Sequence, residues 1–595
     1  MQSSTLGKGW GSEYHETGQV NFRLWASGQQ KIALKLDNVE HPMHTVGDGW
    51  FELQLADVKP GSAYQFVLAD GTAVPDPASR AQQTDVNGPS LVVDPHSYRW
   101  QNAGWQGRTW EESVFYELHV GTFTPQGTLQ AAMGKLPQLA ELGITVIELL
   151  PLSQFGGERG WGYDGVLLYA PHSAYGTPDD LKAFVDAAHG LGLSVVLDIV
   201  LNHFGPEGNY LPLLAPDFFD QSRNTPWGPG IAYHVDAVRR YIADAPLWWL
   251  QEYQLDGLRF DAIDQIVDSS PKHVLIEIAE RIRAEITSRP IHLTTEDCRN
   301  VTFLHRRAQD GSTPLFSGEW NDDFHNAMHV LATGETHAYY QDFAQQPEKL
   351  LARVLTEGFA YQGEVSPQSG EKRGVDSRSQ PPVAFVDFIQ NHDQTGNRAR
   401  GDRLISLAGS ERTQVMYAAL LLSPHIPLLF MGEEYGETNP FMFFTDFHGE
   451  LARAVREGRA REFAGHEDHM DESVPDPNAE STFISSKLDW QKPESSAGAQ
   501  WLALTRQLLA IRHQHLVPLL AHAPGNCGSV IETAPGFLAV SWKWPQATLS
   551  MALNTGERAH ALPELPGSTL FAWPEAAEEL APNAIIVRLA KEEAA

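Results

Sequence analysis

The sequence predicts a (β/α)8 barrel, an α/β fold of the TIM type, with an N-terminal β-sandwich before it and a C-terminal β domain after it. Three observations predict it. Eight short apolar runs of strand character recur between residues 112 and 436, most of them separated by helical stretches, and eight is the number a closed parallel barrel requires. On either side the text changes to short alternating runs punctuated by Gly, Asp and Pro, the pattern of antiparallel sheets. A length of 595 residues exceeds one ordinary domain and fits about three.

In chain order, NFRLWAS, KIALKLD, WFELQL and AYQFVLAD form the sandwich, and the Pro-rich PDPASRAQQTDVNGPS is the linker out of it. VFYELHVGTF and VIELLPL are the first two barrel strands, with LQAAMGKLPQLAELG as the helix between them. SVVLDIVLNHF, LDGLRFDAID, IHLTTED, LFSGEWND, VAFVDFIQNHD and PLLFMGEEYG supply the other six. Residues 205–234, rich in Pro, Gly and aromatics, separate the third strand from its helix and are too long for an ordinary βα loop; they read as an insertion beside the cleft. A second excursion, 437–500, follows strand eight and contains the helical run ELARAVREGRAREF. FLAVSWKW, ATLSMALN, TLFAW and AIIVRL then form the C-terminal β domain. The expected divisions are 1–100, 101–515 and 516–595.

A formal charge of -32, from 43 basic and 75 acidic residues, repels phosphate backbones and anionic lipid, so nucleic acid and membrane partners are disfavoured. No stretch approaches the roughly 18 apolar residues of a membrane span, and the first residues lack the basic and apolar regions of a secretory leader. With two cysteines far apart, Cys298 and Cys527, reduced thiols and a cytoplasmic location are expected, although one bridge stays open.

In a parallel barrel the reactive groups belong at the carboxyl ends of the strands. Polar residues gather there: Asp198, Asn202 and His203 after strand three, Arg259, Asp261 and Asp264 after strand four, Glu296 and Asp297 after strand five, His392 and Asp393 after strand seven. One such acid is usually a helix cap; several on one mouth point to catalysis. Two carboxylates are what retaining glycoside hydrolysis needs, one as nucleophile and one as acid/base, about 5 to 5.5 Å apart. Asp261 and Glu296 fit these tasks. Arg259, two residues before Asp261 and on the same strand face, would keep that carboxylate ionised.

These residues carry a resemblance to the alpha-amylase family. DIVLNH (198–203), GLRFDAID (257–264), TTED (294–297) and QNHD (390–393) resemble its four signatures, in the family's order. The resemblance implies Asp261 as nucleophile, Glu296 as acid/base and Asp393 as the third carboxylate, which holds hydroxyls beside the anomeric carbon. It also implies that Tyr163 is the platform under the reacting ring and that His203 and His392 bind sugar hydroxyls, with Arg259 and Asp264 at the same mouth. In many relatives the counterpart of Asn202 serves a structural calcium site, but calcium needs six to eight oxygens, and no cofactor and no metal is expected here.

YELHVGTFTPQGT (116–128), EWNDDFHNAMHVLATGE (319–335), QNHDQTGNRARGDRL (390–404) and FFTDFHGELARAVREGRAREF (443–463) are more specific. They resemble the maltooligosyltrehalose trehalohydrolase branch of the family, which cleaves the α-1,4 bond beside a terminal trehalose. Two positions depart from that pattern: Asn326 where a second His is expected, and Asp85-Val86-Asn87 where Gly-Val-His is expected before Gly88. The resemblance implies maltooligosyltrehalose as substrate and functional coupling to the enzyme that forms it. Asp322, Asp323, Phe324 and His325 are then the candidates that recognise the terminal disaccharide. Glycogen branching and debranching enzymes share the N-terminal domain and the catalytic signatures and are the alternative within the family; a non-catalytic glucan-binding scaffold is the alternative outside catalysis.

Overall fold

The computed structural model describes residues 9–463, 474–574 and 578–591. Part of the N-terminal stretch read for a leader, residues 1–8, lies outside them, as do the last four residues of the expected C-terminal division. Eight parallel strands close into a barrel: β1 (Phe115–Leu118), β2 (Val146–Leu149), β3 (Ser194–Ile199), β4 (Gly257–Phe260), β5 (His292–Thr295), β6 (Gly318–Trp320), β7 (Phe385–Asp387) and β8 (Ile426–Phe430). These are the eight runs expected. Every residue of the eight strands is buried, because side chains fill the barrel on one face and helices cover the other. Closure comes from β8 pairing with β1, Leu428 opposite Phe115.

The covering helices include α1 (Leu136–Leu142), α2 (Pro178–Gly190), α3 (Asp236–Glu252), α4 (Val274–Glu285), α5 (Asp322–Thr333), α6 (Pro347–Glu357) and α7 (Ser410–Leu422). α2 shows how local sequence sets a boundary. Thr177 and Asp180 form a reciprocal capping box around Pro178, whose missing N–H costs nothing in the first turn. Between β5 and β6 the described chain has only a 3-10 turn, Phe303–His305, in place of a helix.

The insertion after β3 folds into a short helix, Leu211–Leu214, and a hairpin, Phe219–Thr225 with Gly228–Ile231. The excursion after β8 contains the expected helix, α8 (Gly449–Phe463), and leads to α9 (Ser496–Ile511). The expected division at residue 515 falls inside a helical run that continues to Leu520, and the first C-terminal strand begins at Gly528.

The N-terminal domain has two sheets, with strands ordered Gly11–Tyr14, Val20–Trp25, Trp50–Leu55, His44–Gly47 in one and Val39–Pro42, Ala33–Leu36, Ala63–Val67, Ala73–Val74 in the other. Val20, Phe22 and Leu24 face the core between them, the period of two that the sequence shows. Trp10 ties this domain to the barrel, its indole N–H donating 3.0 Å to the carbonyl of Ala237 in α3. The C-terminal domain is built on a five-stranded antiparallel sheet that includes Gly528–Ala534, a strand not expected from sequence. It docks through Trp542, which donates 2.8 Å to the Leu355 carbonyl in α6. Among the described residues no helix is long and apolar enough to cross a membrane, and Cys298 and Cys527 are both free thiols.

Candidate active site

Arg259, at 1% exposure, organises the mouth of the barrel. Its Nη1 donates to Asp198 Oδ2 at 2.7 Å and to Asp261 Oδ1 at 2.9 Å, while its Nη2 lies 2.8 Å from Glu296 Oε2. The guanidinium plane rests on the Trp320 ring at 4.1 Å. One cation thus joins carboxylates from the ends of β3, β4 and β5, a geometry suited to its planar fork. Immediately after Asp261, Ala262 takes a left-handed conformation (φ 39°), rare for a residue with a Cβ. That kink turns the Ala262 N–H onto Glu296 Oε2 at 3.0 Å.

Asp261 and Glu296 both rest on Arg259, and their like charges act on one another. Burial first and the Glu296 charge second hold Asp261 well above the usual carboxylate range. Burial also acts on Glu296, but Arg259, the Ala262 N–H and His392 outweigh it and keep that group low.

Asp393 opens the short helix His392–Gly396 beyond β7 and accepts from Asn397 Nδ2 at 2.6 Å. Burial, opposed by His392, raises it. His392 is held from two strands away: Glu117 on β1 accepts from its backbone N–H at 2.9 Å and from its Nδ1 at 2.5 Å. Burial opposes charge on this ring, but the Glu117 carboxylate outweighs it and raises His392 above 6.5. His392 Nε2 has no protein partner among the described residues. Tyr163 stacks on the His392 ring at 5.0 Å and donates its hydroxyl to Asp198.

Other expected site residues are placed differently. His203 has Nε2 on the Tyr163 carbonyl at 2.8 Å and Nδ1 beside Asn202 at 3.1 Å, and burial lowers it to about 4. Both ring nitrogens are engaged by the protein, so His203 shapes the cleft wall and has no free donor for a sugar. Asp322 faces the mouth, takes a hydrogen bond from Gln394 at 3.1 Å, and is pushed up to about 7 by burial and by Glu296 and Asp393. Asp323, Phe324 and His325 turn inward. Asp323 is tied to Arg373 at 2.7 Å, to Asn300 at 2.8 Å and to the Ala360 N–H at 2.8 Å. Phe324 is fully buried, and His325 is used up between the Ile389 carbonyl and the Tyr340 hydroxyl. Successive helical residues point about 100° apart, so four adjacent positions cannot share the cleft. Asp264, raised by burial, bonds Gln265 at 2.5 Å.

The sequence reading missed Glu117, Gln394 and Trp227. Trp227, 46% exposed at the turn of the insertion hairpin, stacks on His203 at 4.1 Å with the planes 12° apart, extending the cleft wall outward. The signal for Glu117 was a lone acid inside the apolar run VFYELHV, where an unpaired charge is prohibitive.

Comparison with known proteins gives the family. Residues 80–213 and 221–512 match the family described as alpha amylase, catalytic domain, and residues 6–95 match carbohydrate-binding module 48 (isoamylase N-terminal domain). A malto-oligosyltrehalose trehalohydrolase from Deinococcus radiodurans is 43% identical over 90% of this chain and 89% of its own length. One from Saccharolobus solfataricus is 39% identical over 83% and 85%. A crystal structure from Salmonella typhimurium described under the name alpha amylase is 70% identical, with a TM-score of 0.96 over 98% of this chain and 99% of that one.

Proposed function

Since the chain belongs to the alpha-amylase family of glycoside hydrolases, in its malto-oligosyltrehalose trehalohydrolase group, we propose that it hydrolyses the α-1,4 bond beside the terminal trehalose of maltooligosyltrehalose, using Asp261, Glu296 and Asp393. The observation that carries the reading is the convergence of these carboxyls, from the ends of β4, β5 and β7, on Arg259 and His392. Asp261 attacks the anomeric carbon while Glu296 protonates the leaving oxygen, releasing trehalose and forming a glycosyl ester. Glu296 then takes a proton from water, which opens the ester and returns the starting configuration.

Arg259 bonds Asp261 and favours its anion as the nucleophile, and a sugar ring laid over Glu296 excludes water from that carboxyl and favours its protonated form as the acid. Tyr163 lies under the reacting ring, Asp393 and His392 Nε2 bind its hydroxyls, and Asp322 faces the leaving disaccharide. Functional coupling to an enzyme that makes the α,α-1,1 linkage follows from the substrate. The two free thiols fit the reducing cytoplasm.

Incubation with defined maltooligosyltrehaloses and with glycogen, followed by product identification, tests the proposal. Trehalose plus a shortened maltooligosaccharide is the expected result. Cleavage or transfer at α-1,6 branches without trehalose release would move the chain to branching or debranching chemistry.

A further inference from the structure

Glu148 stands on β2 at 1% exposure, inside the barrel and below the catalytic mouth. Its direction follows from register. β2 sets Glu148 opposite Glu117 of β1 on one side and opposite Val196 of β3 on the other. Register partners share a face of the sheet and successive residues alternate, so Glu117, Glu148, Val196 and Asp198 all point into the barrel. Asp198 is in turn the register partner of Arg259, and Arg259 that of Thr294. Phe115, Val146, Val196 and Leu428, members of one apolar cluster, fill the barrel beside and beneath Glu148.

A carboxyl in such a place is costly unless it is bonded. Among the described residues neither oxygen of Glu148 has a hydrogen-bond partner. Three other buried polar atoms of the same inner face share that state: Asp198 Oδ1, Arg259 Nε and Thr294 Oγ1. Both hydrogen bonds to the Asp198 carboxylate, from Arg259 and from the Tyr163 hydroxyl, fall on Oδ2, which leaves Oδ1 as an open acceptor. Enclosed polar groups that stand too far apart for a direct bond are what a buried water joins, since it makes two to four hydrogen bonds. Charge decides which group donates. The charged groups facing Glu148 are Glu117 from β1, Asp198 from β3 and Arg259 from β4. Burial comes first and both carboxylates add to it, while Arg259, shared among three other acids, does not offset them. Glu148 is therefore held well above the usual carboxylate range and keeps its proton. A neutral acid has an O–H to give, and the open oxygen of Asp198 is an anionic acceptor for it.

We propose that Glu148 is a positioning residue for the reaction, joined through a buried water to Asp198 Oδ1 and so to the arginine that aligns the nucleophile. The water accepts the Glu148 O–H in a hydrogen bond and donates one of its own to Asp198, which keeps that carboxylate turned with Oδ2 toward Arg259. Glu148 touches no sugar and acts only through this link. The proposal rests on the reading that Arg259 and Asp261 serve glucan hydrolysis.

Infrared difference spectra and kinetics on maltotriosyltrehalose test the link together. At neutral pH the parent should show a protonated-carboxyl band that Glu148→Gln lacks, and the band should move in Asp198→Asn, where an amide replaces the anionic acceptor. Glu148→Met, similar in length but without a donor, should lower kcat about three- to tenfold, the size of one lost hydrogen bond, with KM nearly unchanged. Glu148→Gln, whose amide N–H stands in for the O–H, should return kcat to near the parent's. Thermal unfolding checks the fold of each variant, and the infrared comparison with Glu148→Gln carries the test if Glu148→Met does not fold. No band lost in Glu148→Gln, an unmoved band in folded Asp198→Asn, or parental kcat in folded Glu148→Met overturns the proposal. So does a Glu148→Gln enzyme that falls as far as Glu148→Met. A parent that shows both infrared effects yet does not cleave maltotriosyltrehalose upholds the link and rejects the function proposed for the mouth.

Discussion

Replacing Glu117 by Gln removes a charge that never meets the substrate and should still disable the site. Glu117 accepts two hydrogen bonds from His392, one from the ring and one from the backbone. A glutamine amide offers one acceptor and one donor, so one of the two bonds becomes a donor facing a donor. Losing a charge-assisted bond of this kind costs about 1.5 to 3 kcal/mol. Expressed in the transition state, that is roughly a ten- to hundredfold fall in kcat/KM. The pH profile separates this from simple loosening. Burial lowers His392, and Glu117 first and Asp393 after it raise the ring above its ordinary value; without the Glu117 carboxylate the ring becomes neutral at lower pH. The alkaline limb of kcat/KM should therefore move to lower pH, and Glu117→Asp should restore part of it. Stability follows the same sign. A raised histidine contributes fully below its unfolded value near 6.5, and the contribution is lost as pH rises through the folded value. The difference in unfolding free energy between parent and Glu117→Gln should thus be greatest in acid and shrink above neutrality. A folded Glu117→Gln enzyme with the parent's kcat/KM and an unmoved alkaline limb would refute the role given to this pair.

Asp261→Asn and Glu296→Gln should each lower turnover at least about a hundredfold with thermal unfolding preserved; near-normal turnover in a folded variant would reject that residue. The first reducing sugar released should be the α anomer, followed by NMR within the mutarotation time, and initial β anomer would rule out the double displacement. Adjacent residues Asp322 and Asp323 should part company. Asp323→Ala leaves Arg373 with Asp342 alone, 3.8 Å away, and strips the Asn300 amide and the Ala360 N–H of their acceptor, which should cost about 1 to 3 kcal/mol of stability. Asp322→Asn should raise the unfolding midpoint over that of the parent more at pH 8 than at pH 5, because a carboxyl raised to about 7 in the fold loses stability as pH climbs from its unfolded value near 3.9 to about 7. An equal loss of stability in both variants would contradict the geometry. Trp227→Ala should raise KM about two- to tenfold with kcat nearly unchanged, read from initial rates on a long maltooligosyltrehalose; an unchanged KM would remove Trp227 from the cleft.

The barrel and its mouth were legible because two separate regularities agree. Apolar runs marked the strands, and the carboxyl ends of those runs carried Asp198, Asp261, Glu296 and Asp393. The Arg259 to Asp261 pairing was legible for the same reason, since residues two apart share a strand face, and the 2.9 Å bond follows. Positions that depend on what a side chain meets across the barrel were not legible. His203 looks like any cleft histidine until the Tyr163 carbonyl occupies it. The run 322–325 reads as one motif, but helical rotation gives only Asp322 to the cleft and sends Asp323, Phe324 and His325 into the interior. The reach of Arg259 to Asp198 and Glu296 likewise depends on the neighbouring strands and is not legible from one run of sequence.

The bond between Glu117 and His392 joins residues 275 positions apart, one on the first strand and one beyond the seventh. Ordering so long a loop lowers chain entropy before any contact compensates. The third carboxylate, Asp393, follows His392 directly and inherits its position from that distant glutamate. The nucleophile, the acid/base and their shared arginine sit on two neighbouring strands, β4 and β5, but without the first strand the residue that grips the sugar loses its anchor. Catalytic competence therefore depends on the closed barrel, because the third carboxylate is positioned by a glutamate on the other side of the seam where the eighth strand meets the first.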